Sequence, residues 1–471
     1  MDIATIAAIA TPIGRGGIGI IKISGKDAFS VAASVFQKSA SFTHDSQKNG
    51  GPPFSSLKSH HLYHGHIVDK EKGRVLDEVL LSVMLAPHTY TKEDIVEINT
   101  HSGPVVLASI LELILKNGAK LAEPGEFTKR AYLNGRIDLT QAEAVIDIIN
   151  SKTEKALEIA TSHITGGLKT KIESIRSALL DILVETEAAI DFLDDAEEIL
   201  NSDRIIKILK GRVVDELKDL IEKYENAHVL RDGLKMVVVG RPNVGKSSLM
   251  NRLIQEDRAI VTPIPGTTRD LIEETLNIHG IPVIIADTAG LHETEDPVEV
   301  IGIEKAQKYI RDSDLILFMI DASDPLTHEE YNIYKTIRNK RLILVINKSD
   351  LVDDDFEPAV PDSWRNMPRI KISALYGTGL DELKDLIANL SIGEYGLEPK
   401  NTIIPNLRHK ISLERSLRLC VAAIEEIRKQ TSFEFIAIDI QEAIDSLGEI
   451  IGDTAKEDVI DQIFSRFCIG K

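Results

Sequence analysis

At 471 residues the chain carries enough sequence for about three domains, and its 43% hydrophobic and 27% charged content excludes a long disordered polar chain. A formal net charge of −19 excludes a uniformly basic nucleic-acid binder, so any RNA must meet a local basic patch or be held by a second protein. No apolar run approaches the roughly 20 residues of a membrane helix, the start lacks a positive n-region, and two cysteines argue against a disulfide framework, which together predict a cytoplasmic protein.

Residues 1–135 predict an α+β domain. Short β-like runs fall at 19–23, 66–68, 79–84 and 95–98, and one helix opens at Pro104 and stops before Gly118, the usual asymmetry of proline at the start and glycine past the end. Residues 38–58, centred on Gly50-Gly51-Pro52-Pro53, read as a loop. Helical spacing begins near residue 136 and runs to about 230, with Thr140 to Glu143 as a capping-box sequence. It returns over 391–471, where Leu413, Leu417, Cys420, Ile424 and Ile427 form a packed seam. Between them, residues 231–390 alternate β and α, with apolar runs at 235–239, 283–286, 315–320 and 342–346 that read as buried parallel strands. The simplest architecture is an α/β domain inserted into a discontinuous helical domain, with the ends of the insert close together.

The insert carries phosphate chemistry. Gly240-Arg241-Pro242-Asn243-Val244-Gly245-Lys246-Ser247 follows a strand and precedes a helix-like stretch that starts at Ser248, the context a phosphate-binding loop requires. Its glycines let backbone N–H groups turn onto phosphates, Lys246 offers a charge to the β/γ oxygens, and Ser247 ligates Mg²⁺. Pro265-Gly266-Thr267-Thr268 stands where a switch loop brings a threonine to the metal, a role assigned to Thr268. Asp287-Thr288-Ala289-Gly290 follows an apolar strand, where the carboxylate orders metal-bound water and the glycine N–H meets the γ-phosphate. Asn347-Lys348-Ser349-Asp350 ends another strand, and a carboxylate at Asp350 accepts from guanine N1–H and N2–H₂, which adenine lacks. Ser373-Ala374 adds a backbone donor for the guanine O6. Leu291 stands where small GTPases have a water-orienting glutamine, so another group, offered by the acidic stretch 293–299, must position the attacking water.

The whole layout resembles the MnmE (TrmE) family of tRNA-modification GTPases, which serves the 5-carboxymethylaminomethyluridine pathway and falls in the TrmE-Era-EngA-like group of GTPases. The resemblance rests on the stretch from Thr11 to Gly19, on Pro124-Gly125-Glu126-Phe127 and Asn134 to Leu139, on the inserted Ras-like GTPase domain, and on the terminal Cys468-Ile469-Gly470-Lys471. It implies a homodimer joined through folate-binding N-terminal domains, with G domains that associate in the presence of GTP and K⁺. It implies K⁺ at Asn243, Thr262, Ile264 and Thr267, within a nucleotide site that also takes in Pro263, and a water-orienting carboxylate at Glu299. Charge supplied by the ion then does what an arginine finger does elsewhere. The resemblance further implies a one-carbon folate, such as 5-formyl-tetrahydrofolate, near Lys22, Glu97, Arg136 and Lys471, a functional cysteine at Cys468, and an FAD-dependent partner, MnmG (GidA). Acting together, the two would modify C5 of the wobble uridine of certain tRNAs.

Other readings compete. Gly14 to Gly19 fits a dinucleotide fingerprint, but residues 20–23 continue as strand rather than opening a helix. His60, His61, His64 and His66 invite a metal, against which stands a polar strand surface. A regulatory GTPase of ribosome assembly is the alternative function, and a separate RNA-binding domain would favour it.

Overall fold

A computed structural model describes residues 4–12, 14, 16–38, 57–192, 201–257, 273–286, 308–353, 356–391 and 403–471. Among these, one compact unit comprises the chain up to Ile146 together with Ile451–Lys471, and a second comprises Asp147 to Ile450.

The first unit is built on a seven-stranded sheet in the order β3-β4-β5-β6-β2-β1-β7, with β1 (Ile6–Ile9), β2 (Gly16–Ser24), β3 (Phe36–Lys38), β4 (His61–Asp69), β5 (Arg74–Met84), β6 (Ile95–Ser102) and β7 (Lys120–Leu121). Neighbours run antiparallel except β1 and β7. Alternation along the strands sends Ile21, Ile23 and Ile98 into a core shared with Leu107, Ile110 and Ile114 of the helix Pro104–Lys116. Lys22 and Glu97, cross-strand partners on β2 and β6, therefore face the opposite side. That helix has the predicted limits, with proline in its first turn and Lys116 in its last. Two further helices, Ala28–Val35 and Glu126–Leu133, go beyond what the sequence pattern predicts. Each has eight residues, too few to display a helical period.

The dinucleotide fingerprint fails structurally. Gly16 and Gly19 lie inside β2, and a Cβ on Gly19 would come within 2.8 Å of Leu107, so glycine there serves helix-on-sheet packing. The capping-box reading also moves. Asp138, not Thr140, caps the helix Leu139–Asn150: its Oδ1 accepts from Thr140 N (2.8 Å) and Gln141 N (3.0 Å), and Gln141 Oε1 accepts from Asp138 N (3.1 Å). Thr140 lies buried inside the helix, where its hydroxyl donates to the same Asp138 Oδ1 at 2.6 Å instead of capping.

The second unit joins helices to a six-stranded sheet ordered β13-β12-β11-β8-β10-β9, with β8 (Leu234–Val239), β9 (Glu273–Ile278), β10 (Ile281–Ala286), β11 (Leu315–Asp321), β12 (Leu342–Asn347) and β13 (Arg369–Lys371). All neighbours are parallel except β9 and β10. The four apolar runs are four of these strands, and β11 and β12 are buried throughout. Helices Glu154–Ile164, Gly167–Asp191, Asp215–Asp232 and Leu407–Lys429 follow the helical stretches. In the last of these the seam buries Leu413, Ser416, Cys420, Ile424 and Ile427, with Leu417 only half-buried. Among the described residues no helix is long and apolar enough to cross a membrane, and no group of three or more His, Cys, Asp or Glu is arranged to hold a metal.

Candidate functional site

Parallel strands end together, so loops that leave their carboxyl ends converge. Gly240 to Gly245 connects β8 to the helix Lys246–Asp257, Asp321 closes β11, and Asn347 closes β12. Gly245 has φ +100°, and a Cβ there would stand 2.2 Å from Asn347 Nδ2, so only glycine permits the approach. Asn347 is 3% exposed, and its carboxamide is spent inside the protein. Nδ2 donates to Val244 O (2.7 Å), and Oδ1 accepts from Ala374 N (2.9 Å). One side chain thus ties the phosphate loop to the loop that carries Ser373 and Ala374. Asp350 is exposed and aimed by Ser373, whose hydroxyl donates to Oδ1 at 2.5 Å.

Lys246 Nζ donates to the loop's own carbonyls, Gly240 O (2.9 Å) and Arg241 O (2.7 Å). Burial holds its pKa below the ordinary ammonium value, a pull that the Glu329 carboxylate opposes. Asn243 sits exposed at φ +61° and makes no hydrogen bond with the described residues; Ser247 and Ser248 are exposed in the helix's first turn. That turn presents free N–H groups to an anion.

Two carboxylates outside the motifs, Asp321 and Glu330, hold motif residues in place. Lys348, at φ +63°, pairs with Asp321 at 2.5 Å. Burial alone would raise the Asp321 carboxyl, but Lys348 and the hydroxyl and amide of Ser323 outweigh it and hold the pKa below the usual carboxylate value. Arg241 stands 2.8 Å from the buried Glu330, which also caps its own helix, His328–Ile337, through Thr327. A carboxylate that ends an apolar strand, as Asp321 does, was the available signal. Thr262, Pro263, Ile264, Pro265, Gly266, Thr267, Thr268, Asp287, Thr288, Ala289, Gly290, Leu291 and Glu299 lie outside the described residues.

In the first unit, the four residues expected at a folate gather about two aromatic rings. Lys22 Nζ is 3.7 Å from Glu97 Oε1, 5.6 Å from the Tyr90 ring centroid and 5.5 Å from that of Phe127. The Arg136 guanidinium lies 4.7 Å from the Tyr90 centroid. Burial lowers the Lys22 pKa; Glu97 opposes this, and the charge of Lys471 adds to it. Lys471 is brought there by the backbone, its carbonyl accepting from Phe127 N at 3.2 Å. Cys468 is exposed on the same segment, and its carbonyl accepts from Gly125 N at 3.4 Å. Tyr90 and Phe127 escape a sequence reading as pocket residues because neither belongs to a local binding motif. Of the four histidines, His64 pairs with Glu78 at 2.6 Å, on an exposed strand surface rather than in a metal site.

The family described as GTP-binding protein TrmE N-terminus matches residues 5–136, and that described as MnmE helical domain matches residues 139–468. The tRNA modification GTPase MnmE of Acetivibrio thermocellus is 45% identical over 469 residues, which cover 99% of this chain and 99% of that protein. Its counterpart in Thermoanaerobacter pseudethanolicus is 46% identical over 468 residues, again 99% of both. Among solved structures, Era of Aquifex aeolicus bound to GDP.AlF4− is 32% identical across 39% of this chain and 66% of that one, with a TM-score of 0.26, too low to bear on the fold.

Proposed function

The chain belongs to the MnmE family of tRNA modification GTPases, and from that premise we propose that it couples GTP hydrolysis to modification at C5 of the wobble uridine of certain tRNAs. It is a GTP hydrolase of tRNA modification, with Mg²⁺ accompanying the nucleotide. The observation that carries the reading is the Asn347 brace, which ties the phosphate loop to the Ser373–Ala374 loop and leaves the Asp350 carboxylate exposed at the rim, oriented by Ser373.

In this reading Lys246 exchanges two loop carbonyls for the β/γ oxygens of the triphosphate. That exchange is supported by its burial, since a half-buried ammonium gains most from anionic partners. Ser247 and Thr268 hold Mg²⁺. Asn243, with Thr262, Ile264 and Thr267, holds K⁺; a carboxamide that is exposed and unspent fits such a ligand. Glu299 orients water where Leu291 does not. The donor set of Lys22, Arg136 and Lys471, with Glu97 and two aromatic rings, suits a folate: cations for its carboxylates, rings for its flat head, and an acceptor for ring N–H groups. Bound there, a one-carbon folate supplies the carbon unit. Cys468 lies on the same C-terminal segment and offers an exposed thiol. The family reading adds a second copy of the chain and MnmG (GidA), the FAD-dependent protein, as partners.

Mass spectrometry of tRNA from a strain lacking the protein tests the proposal. Loss of the C5 substituent from wobble uridines is expected; unchanged uridines overturn it. The cation site has its own test. GTP turnover should fall at least about tenfold when Na⁺ replaces K⁺, because the smaller, more strongly hydrated Na⁺ does not fill a site sized for K⁺ and the transition-state charge is then left without its counter-ion. Equal rates in the two salts remove K⁺ from the mechanism.

A further inference from the structure

Six described non-glycine residues hold a left-handed backbone, with φ between +51° and +63°. Such conformations cost free energy and persist where the surroundings enforce them, often at binding sites. Asn243 and Lys348 belong to the nucleotide site, Gln430 ends a helix, and His279 sits in the turn between β9 and β10. The other two, His60 and Lys92, line one open cleft of about 420 Å³ in the first unit, together with His88, Thr89, Tyr90 and Arg136.

The cleft is cationic and has no acidic side chain in its lining. Lys92 Nζ donates to a neutral acceptor, Gly135 O, at 2.9 Å, and neither Lys92 nor Arg136 is ion-paired among the described residues. Nearby carboxylates are committed elsewhere: Glu93 to Arg130 at 3.0 Å, and Asp94 to the amide of Ala86 at 2.9 Å. The loops that carry the cations are laced together, since Asn134 Nδ2 also donates to Thr91 O at 2.6 Å. A fixed field of one sign in a concave surface attracts anions.

Tyr90 identifies the anion. Its ring borders this cleft and is also approached by Lys22, the ion-pair partner of Glu97. A ligand whose head lies against Lys22 and Glu97 would meet Tyr90 and Arg136 next, because Lys22 and Arg136 both approach the Tyr90 ring. We propose that the cleft binds the oligo-γ-glutamate tail of a polyglutamylated folate, with successive carboxylates meeting Arg136, Lys92 and the imidazoles of His88 and His60. The inference rests on the folate reading above. Carboxylates spaced along a flexible chain suit separate donors in an open cleft, whereas two cations and two imidazoles are a small footprint for an RNA backbone on a chain of net charge −19.

The test titrates the full-length protein with 5-formyl-tetrahydrofolate carrying one or five glutamates. Exposed charge pairs contribute little singly, so the tail should tighten binding about tenfold in sum. In the double variant Lys92→Gln/His88→Gln, the advantage of the pentaglutamate should shrink below about threefold, with monoglutamate affinity unchanged. Glutamine at 92 keeps a donor for Gly135 O, and thermal melting checks that the variant is folded. Equal affinity of the native protein for both ligands overturns the tail site alone. Failure of both to bind overturns the folate reading and the tail site with it. A variant that weakens tRNA binding yet keeps the full pentaglutamate advantage makes the cleft an RNA surface instead, and that also overturns the proposal.

Discussion

The nucleotide site and the N-terminal cationic pocket are assembled in opposite ways. The first is made of contiguous stretches, Gly240–Ser247, Asn347–Asp350 and Ser373–Ala374, set at the ends of parallel strands. The second draws single side chains from positions 22, 90, 97, 127, 136 and 471, on two strands, a helix, loops and the chain's end. Phosphates are bound by a local fold of main chain, which leaves a spacing in the sequence. A flat, partly charged ligand is bound by a surface, which leaves none. Each site should therefore fail in its own manner when one residue is changed.

The largest effect is expected at Asp350→Asn. On the function proposed above, the variant removes the carboxylate that would accept from guanine N1–H and N2–H₂ and turns an amide nitrogen toward those N–H groups. Two charge-assisted hydrogen bonds disappear, for about 3 kcal/mol or roughly 100-fold in GTP affinity. Xanthosine triphosphate, with a carbonyl at the 2-position, should gain by a similar factor. Fluorescence titration with labelled analogues of both nucleotides checks this; an equal loss of both would mean that Asp350 supports the loop rather than reading the base.

How much was legible follows the same division. The parallel strands, the phosphate loop and the Asp350 loop are readable from residues alone, because apolar runs of five to seven residues ending in Gly, Asn or Asp have few other meanings. Lys22, Glu97, Arg136 and Lys471 are reached only through family resemblance; the pairing of Lys22 with Glu97 depends on the β2–β6 register, which no local pattern states. Asp321 and Asn347 escape in a subtler way. Asn347 reads in the sequence as a nucleotide ligand, yet its carboxamide is shared between Val244 and Ala374, and a brace is visible only when three loops are seen together. Asp138 captures the cap expected of Thr140 because both fit the pattern and only geometry separates them.

The second prediction probes the pocket. Lys22→Ala removes a cation held over Phe127 and Tyr90 and leaves Glu97 without its partner. Folate affinity should fall about 10- to 30-fold, the loss of one charge-assisted hydrogen bond of about 1.5–2 kcal/mol. GTP affinity should stay within about twofold, since sites with no shared partner are additive. Isothermal titration with each ligand decides it. A matching fall in GTP affinity would show that the two sites are energetically linked through the protein, and the contrast between them would then be one of construction only.

The smallest effect sharpens the contrast within the nucleotide site itself. Ser373 is 1% exposed and does not need to touch the base; its hydroxyl donates to Asp350 and accepts from Tyr376 N at 3.3 Å. Ser373→Ala removes one orienting hydrogen bond and leaves the Asp350 carboxylate and the Ala374 amide in place. The expected cost is about 1 kcal/mol, or roughly fivefold in GTP affinity, with selectivity over ATP retained because the reading carboxylate survives. Competition binding with GTP and ATP separates the two quantities. If Ser373→Ala erased selectivity as thoroughly as Asp350→Asn, the base would be read by the pair as a unit, and the local motif would understate the site in the same way that it understates the pocket.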